Sequence, residues 1–528
     1  MLSLVVLLGS IAPKGKAVTV EAALESQAVT VQCYLPMVQG CAPQPIESPF
    51  SLQIAAEHQL AAPGANFLPD AGLSIQDLQA AVESQQARID AAYPYLSQAL
   101  VDSGAGWTRL YLKWSRIEPD APVEGQLPVY RWDYYDQKYR IVADTRVRMI
   151  ITVADSPAWA APSPCAPIFA DRYDEYAQFL TDLVNHYKQP PYNVKHWEIV
   201  NEPDYTWPNG WAGGLGCWGE DPTVTDRPQA YAQALAVAYP AIKAADPEAT
   251  VLMGGIAHDW FTQVGGPFQR DFPDRLMASG GGNYMDTFTF HYFPDFKREW
   301  ERWDPSHEDR QKGWLPAPTC GDVFDGIGDR YDAYGLDIIA KTTHLRNRMK
   351  TCYGVDKPIW VTELAEHGYA NSPESLDQQA RYVIQGHVRA LAAGVINITW
   401  YALATVNDGY QQGLLFDQDE FGNWSPKPAF TSYRTLTSEL KNYRYAGTRA
   451  FQNGELYVFT DTCGKEKLVA WNSVGGTIVM NGSQVRTIDY LGNVQIIDDG
   501  GAGDADGQAN GSVAVLVRSP MFIELIQN

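Results

Sequence analysis

Two stretches of this 528-residue chain do most to limit what it can fold into. Val194 to Asp204 reads Val-Lys-His-Trp-Glu-Ile-Val-Asn-Glu-Pro-Asp, an apolar run that breaks into a polar turn at a proline. Val194, Trp197, Ile199 and Val200 suit a strand covered on both faces, and Pro203 cannot continue it because proline lacks the ladder's N–H donor. Glu202 therefore stands at the carboxyl end of a buried strand. Lys357 to Gly368 repeats the pattern: Ile359 to Val361 is apolar and delivers Glu363 to a strand tip. Parallel buried strands need crossover helices. Helical periodicity precedes the first stretch, from Tyr173 to Tyr187 with Phe179, Leu183 and Val184 in phase, and follows the second, from Leu376 to Ala392.

The alternation can be counted from Pro49. Strands are expected at Phe50 to His58, Trp107 to Trp114, Val147 to Val153, the Val194 run, Thr250 to Ile256, Asp286 to Phe293, Lys357 to Glu363 and Ile396 to Ala402. Between them lie helical stretches from Leu73, with Ser74 and Asp77 at capping-box spacing, then Tyr93 to Ser103, Asp133 to Ala143, Tyr231 to Ala245 and Tyr331 to Lys350. Eight strands in this order read as an α/β protein, a (β/α)8 TIM barrel over residues 48–440, with chemistry gathered at the C-terminal ends of the strands. From Tyr445 the helical pattern stops. Short alternating runs such as Leu456 to Phe459 and Lys467 to Trp471, divided by Gly and Asn, read as an all-β sandwich domain over residues 441–528.

The rest of the chain mainly excludes. Residues 1–20 contain an apolar run, Met1 to Ala12, of signal-peptide length but without a basic start; they read as a weak export signal, with a secreted or extracytoplasmic location expected. The run is too short to span a bilayer, and no later segment reads as a membrane span. Residues 21–47 show no period and read as a linker or flexible arm. A formal net charge of −22 argues against nucleic acid and anionic membrane surfaces as partners. Seven cysteines, at 33, 41, 165, 217, 320, 352 and 463, form no CxxC pair and no zinc spacing, so neither metal nor cofactor is expected. Cys165 and Cys217 fall after neighbouring strands and could bridge the top of the barrel; Cys320 with Cys352 and Cys33 with Cys41 are looser pairings. The Asp-rich stretch Asp498 to Gly511 lacks calcium-loop spacing. No Gly-x-Ser-x-Gly elbow, phosphate loop or dinucleotide fingerprint occurs.

Asn201-Glu202-Pro203 and Thr362-Glu363 resemble the acid/base and nucleophile motifs of clan A, the large clan of retaining glycoside hydrolases built on a TIM barrel. The resemblance follows the order of motifs from Pro49 to Leu440 and is closest to the β-xylosidase and α-L-iduronidase family and its endoglycosidase relatives. It implies an enzyme that cleaves O-glycosidic bonds of an oligo- or polysaccharide by double displacement through a covalent glycosyl-enzyme. Glu202 would be the acid/base, Glu363 the nucleophile, Asn201 the partner of the sugar's 2-hydroxyl, and Arg109 the cation beside the nucleophile. His291 matches the clan's histidine on the sixth strand. Tyr292 is a candidate for the clan's aromatic hydroxyl, although alternation places it on the face opposite His291 and Phe293. Trp400 matches the tryptophan that floors a sugar subsite.

Trp159, at the exit of the third strand, and Trp207, in the long loop Tyr205 to Asp226, are expected around the mouth, where aromatic faces suit sugar C–H faces. Pro294 to Asp329 reads as a second long insertion over the same face. Each glutamate alone is also compatible with a helix cap or a rim ion pair. The rival reading from another class is a non-catalytic carbohydrate-binding barrel or scaffold. The particular sugar, exo or endo action and oligomeric state are open at this level.

Overall fold

The computed structural model describes residues 29–31, 43–54, 75–206, 216–219, 223–259, 261–262, 266–294, 337–404, 411–417 and 423–526. Eight parallel strands form its centre: β1 (Phe50–Gln53), β2 (Trp107–Lys113), β3 (Arg148–Ala154), β4 (His196–Ile199), β5 (Thr250–Met253), β6 (Phe288–Tyr292), β7 (Ile359–Leu364) and β8 (Asn397–Trp400). They pair in the order β5-β4-β3-β2-β1-β8-β7-β6. Parallel bridges Leu252–Thr287 and Ile256–Phe290 join the two ends and close the barrel. Most strand residues are buried on both faces, which is why these segments read as near-continuous apolar runs.

At the amino end of the strands Trp107, Ile150, Leu252 and Trp360 form a separate inner cluster. The His196 ring lies 4.7 Å from Trp107 and 5.3 Å from Trp360. This plug fills the bottom of the barrel and leaves the carboxyl end for polar groups.

Among the described residues, besides the short helix Trp114–Ile117, eight longer helices follow the strands: α1 (Ile75–Asp102), α2 (Asp133–Asp144), α3 (Tyr173–Tyr187), α4 (Arg227–Ala245), α5 (Phe272–Ala278), α6 (Asp337–Tyr353), α7 (Pro373–Ala392) and α8 (Pro428–Leu440). Local sequence accounts for the starts of α4 and α7. Asp226 and Ser372 each accept the N–H of the residue three further on, and a proline follows within the first turn. The two helical stretches expected before β2 are one helix, α1, which runs through Pro94. Ile89, Tyr93, Leu96 and Leu100 are all buried along one face, and this continuous packing carries the helix past the lost hydrogen bond. Ser74, read as part of its cap, lies outside the described residues.

The C-terminal domain has two sheets. β9 (Arg444–Arg449), β10 (Gly454–Thr460), β11 (Glu466–Asn472), β13 (Gln484–Asp489), β14 (Val494–Asp498) and β16 (Met521–Leu525) form an antiparallel sheet in the order β9-β10-β11-β16-β13-β14. β12 (Gly476–Asn481) and β15 (Ser512–Val517) form the second sheet with the short strand Val29–Val31, which pairs parallel to β12. Part of the expected linker is therefore a strand of the C-terminal domain. The same stretch is tied down again where Gln44 N–H donates to Thr462 Oγ1 and where Glu47 pairs with Arg148.

Alternation assigns the faces of the larger sheet. Leu456, Val458, Leu468 and Ala470 join Ile478, Met480, Val513 and Val515 in the core between the sheets. Tyr457, Phe459, Val469 and Trp471 point the other way and belong to the barrel's own core cluster. Polar contacts reinforce the junction. Glu439 on α8 accepts from Lys467 at 2.5 Å and from Arg486 at 3.0 and 3.1 Å, and Arg389 on α7 donates to both oxygens of Glu455 at 2.6 and 3.0 Å. Among the described residues no helix is long and apolar enough to cross a membrane.

Candidate active site

β4 ends in a turn whose backbone is pinned from both sides. Val200 and Glu202 have φ of 70° and 43°, in the left-handed region that a β-branched residue such as valine rarely adopts. Val200 N–H donates to Val153 O on β3, Glu202 N–H to Gly255 O after β5, and Cys217 N–H to Asn201 O. Asp204 completes the turn by accepting the N–H groups of Ala257 and His258 at 3.1 and 2.8 Å. The Cys165–Cys217 disulfide joins the exits of β3 and β4 beside this turn. Cys352 and Cys463 are also disulfide-bonded; Cys33, Cys41 and Cys320, and with them the two looser pairings, lie outside the described residues.

Glu363 reaches the same place from β7. The register of β7 against β6 and β8 shifts around Thr362 and Glu363, and such a local irregularity re-aims a side chain. Arg109, on β2 and fully buried, is the hub. Its Nη1 donates to Glu363 Oε1 at 2.6 Å and to Gln53 Oε1 at 3.0 Å, and its Nη2 donates to Asn201 Oδ1 at 2.8 Å. Nε and Nη2 lie 2.7 and 2.6 Å from Glu198 Oε2, which also accepts from Thr152 Oγ1 at 2.6 Å. His291, on β6, places Nδ1 2.9 Å from Glu202 Oε1 and 3.5 Å from Glu363 Oε2. Ligating atoms of Glu202, His291 and Glu363 all come within 4.8 Å of one another. Glu202 Oε2 is buried with no hydrogen-bond partner among the described residues.

The electrostatics divide the two carboxyls. Burial pushes Glu202 well above the usual glutamate range, helped by Glu363 and Asp204 and opposed by Arg109 and Lys341. Burial also raises Glu363, but Arg109 opposes it by charge and by hydrogen bond. Burial works against the Arg109 cation, yet Glu198 and Glu363 outweigh it and the guanidinium is held charged. The pair thus favours a proton on Glu202 and an anion on Glu363. Three donors so close could also ligate a cation, but Arg109 already supplies positive charge at Glu363.

Glu202, Glu363, Asn201, Arg109 and His291 meet in one constellation; Tyr292, Trp400 and Trp159 do not join it. Tyr292 is 1% exposed and faces the helix layer, where Lys341 lies 5.6 Å from its ring, as strand alternation from His291 requires. Trp400, expected to floor a subsite, is fully enclosed; its Nε1 donates to Gln412 O and its ring stacks 6.0 Å from His387 on α7. The next residue, Tyr401, is the one on the inner side, 6.1 Å from half-buried Phe293, which in turn lies 6.5 Å from His291. Trp159 is half-buried, edge-on to Trp114 at 5.3 Å, with Nε1 donating to Glu118 O. Trp207 lies outside the described residues.

Sequence reasoning missed Glu198, Gln53 and Thr152. The signal for Glu198 was present: it is a charged residue between Trp197 and Ile199, so alternation turns it into the barrel when its neighbours face the helices.

No protein-family model and no curated protein matches the sequence. Solved structures do resemble the fold. A family 39 glycoside hydrolase from the gut symbiont Bacteroides cellulosilyticus WH2 aligns with a TM-score of 0.57 at 18% identity, covering 83% of this chain and 79% of that one. The catalytic domain of GH30 xylanase C from Talaromyces cellulolyticus aligns at 0.52 and 14% identity, over 92% and 98% of the two chains. A hyperthermophilic β-glucosidase from Pyrococcus furiosus aligns at 0.50 and 15%, over 75% and 96%. At these identities the likeness is one of architecture, a TIM barrel with, here, an all-β domain docked on its last helices.

Proposed function

We propose that this chain is a retaining glycoside hydrolase acting on an oligo- or polysaccharide. The observation that carries the reading is that one carboxylate oxygen of Glu202 and one of Glu363 come within 4.8 Å of each other on two strand tips. Retaining enzymes hold their carboxyls about 5–5.5 Å apart, close enough for direct attack on the anomeric carbon and too close for an intervening water. Glu363, ionised beside Arg109, attacks that carbon. Glu202 donates its proton to the departing glycosidic oxygen, and Oε2 is the oxygen suited to it, since Oε1 is engaged by His291. In the second step Glu202 takes a proton from water, whose oxygen attacks the anomeric carbon and releases Glu363.

Asn201, fixed by Arg109, stands beside the acid/base, where an amide can hold the sugar's 2-hydroxyl. We further infer action outside the cytoplasm, a reading supported by the disulfide-bonded cysteines and the apolar start of the chain. Cell fractionation tests it, with a wholly cytoplasmic pool as the contrary result.

The test of the activity is turnover of a panel of aryl β-glycosides and polysaccharides by the wild type and Glu363→Gln, with the anomer first released read by NMR. A 2-fluoro glycoside of the active sugar should then label a peptide containing Glu363. Inverted product, or turnover that survives Glu363→Gln, would sink the reading.

A further inference from the structure

Helix α6 drives one cation into the wall behind the acid/base. Lys341 is fully buried against Phe290 and Tyr292, its Nζ 5.6 Å from each ring. A buried ammonium persists only where its donors are satisfied. Here Nζ donates to Ala257 O at 2.5 Å and to His291 O at 3.0 Å, and Asp259 Oδ2 lies 3.9 Å away. The two carbonyls belong to the two segments that hold Glu202. Ala257 and the residue after it give their N–H groups to Asp204, two residues beyond Glu202, and His291 sets its Nδ1 on Glu202 Oε1.

Resting on the functional reading above, we propose that Lys341 is a positioning residue for Glu202: by binding the carbonyls of Ala257 and His291 it keeps Asp204 and the His291 imidazole where they fix and polarise that carboxyl. Among the described residues, Glu202 and Asp204 from the turn after β4, His258 and Asp259 after β5 and His291 on β6 face Lys341, and His344 and Arg348 on its own helix and Arg270 act with it on His258. Within this set its charge favours the ionised form of Glu202, so its removal moves the titration of the general acid upward.

The test uses Lys341→Met and Lys341→Gln in the full chain, with an alkyl and a 2,4-dinitrophenyl glycoside of the active sugar. General-acid assistance is worth on the order of 10²–10⁴ in rate, and an activated phenol needs little of it. For Lys341→Met, kcat/KM on the alkyl glycoside should fall at least about tenfold and on the dinitrophenyl glycoside less than about threefold. The alkaline limb should move to higher pH, and Lys341→Gln, which keeps an N–H donor, should recover part of the loss. Equal losses on both substrates with an unmoved limb overturn the proposal, and Lys341→Gln alone decides it if Lys341→Met does not fold. A crystal structure of the soluble variant reads the geometry without turnover: separation of His291 Nδ1 from Glu202 Oε1 supports the proposal, and retention of the 2.9 Å contact overturns it. A wild type silent on both glycosides fails the glycosidase reading and leaves that structure to decide the role of Lys341.

Discussion

Replacing Arg109 by methionine keeps an unbranched apolar stem and removes the guanidinium with its charge. Glu198 and Glu363, 0% and 1% exposed, then lose a cation that lies 2.6 Å from each, and the amide oxygens of Gln53 and Asn201 lose a donor. Breaking a buried ion pair from one side costs about 3–5 kcal/mol. One guanidinium serves two carboxylates here, so the upper end, about 5 kcal/mol, is expected at neutral pH. That is a large part of an ordinary total of about 5–15 kcal/mol.

The pH dependence has a definite sign. Without the cation, burial holds the Glu363 carboxyl further above the unfolded value of about 4.3, so the folded variant binds a proton that the unfolded chain does not. Folded wild type keeps the same proton up to about pH 7, so the variant's deficit should grow as pH rises through that value, by up to about 1.4 kcal/mol per pH unit. Denaturant unfolding at pH 5 and pH 8 measures both quantities. A deficit below about 1 kcal/mol, or one of equal size at the two pH values, would refute the assignment of Arg109 as the shared counter-ion.

Three further outcomes follow from the geometry. In Gly255→Ala the new methyl would overlap His291 Nε2 and stand 2.5 Å from Thr362 Oγ1, so kcat/KM should fall on the order of 10²-fold, whereas retained activity would show that His291 can shift harmlessly. Replacing Cys165 and Cys217 by serine opens a cross-link between residues 52 apart, which chain entropy values at about 4 kcal/mol; an unchanged denaturation midpoint would contradict this. Burial raises the Glu439 carboxyl, but hydrogen bonds from Arg486 and Lys467 outweigh it and hold it below the usual range. Its stabilising effect is present above the unfolded pKa and fades as pH falls through the lowered one, so Glu439→Gln should lower Tm at pH 7 and lose its effect in acid. A constant difference across that window would count against the ionic account.

The barrel was legible because parallel strands buried on both faces leave unbroken apolar runs, and because Glu202 and Glu363 end two of them at a proline turn and a strand tip. Arg109 could be placed from the strand it occupies. What failed was the aim of single side chains. Trp400 and Tyr401 are neighbours that face opposite ways, and resemblance alone selected the larger ring although its place is in the helix layer beside His387. Two helical stretches were expected where α1 is one helix, because the buried face that carries it through Pro94 depends on partners far along the chain. The partnership of Arg109 with Glu198, the binding of Ala257 O by Lys341, and the pairing of Val29–Val31 with β12 are all tertiary, and no local pattern carries them.

That last pairing has a consequence for synthesis. β1 lies between β2 and β8, and Val29–Val31 lies against β12, so each of these segments waits during synthesis for a partner hundreds of residues further along the chain. Until β8 is made one edge of β1 stays open, and until β12 is made Val29–Val31 lacks its partner, so a nascent chain stalled between β2 and β8 would display unpaired strand edges.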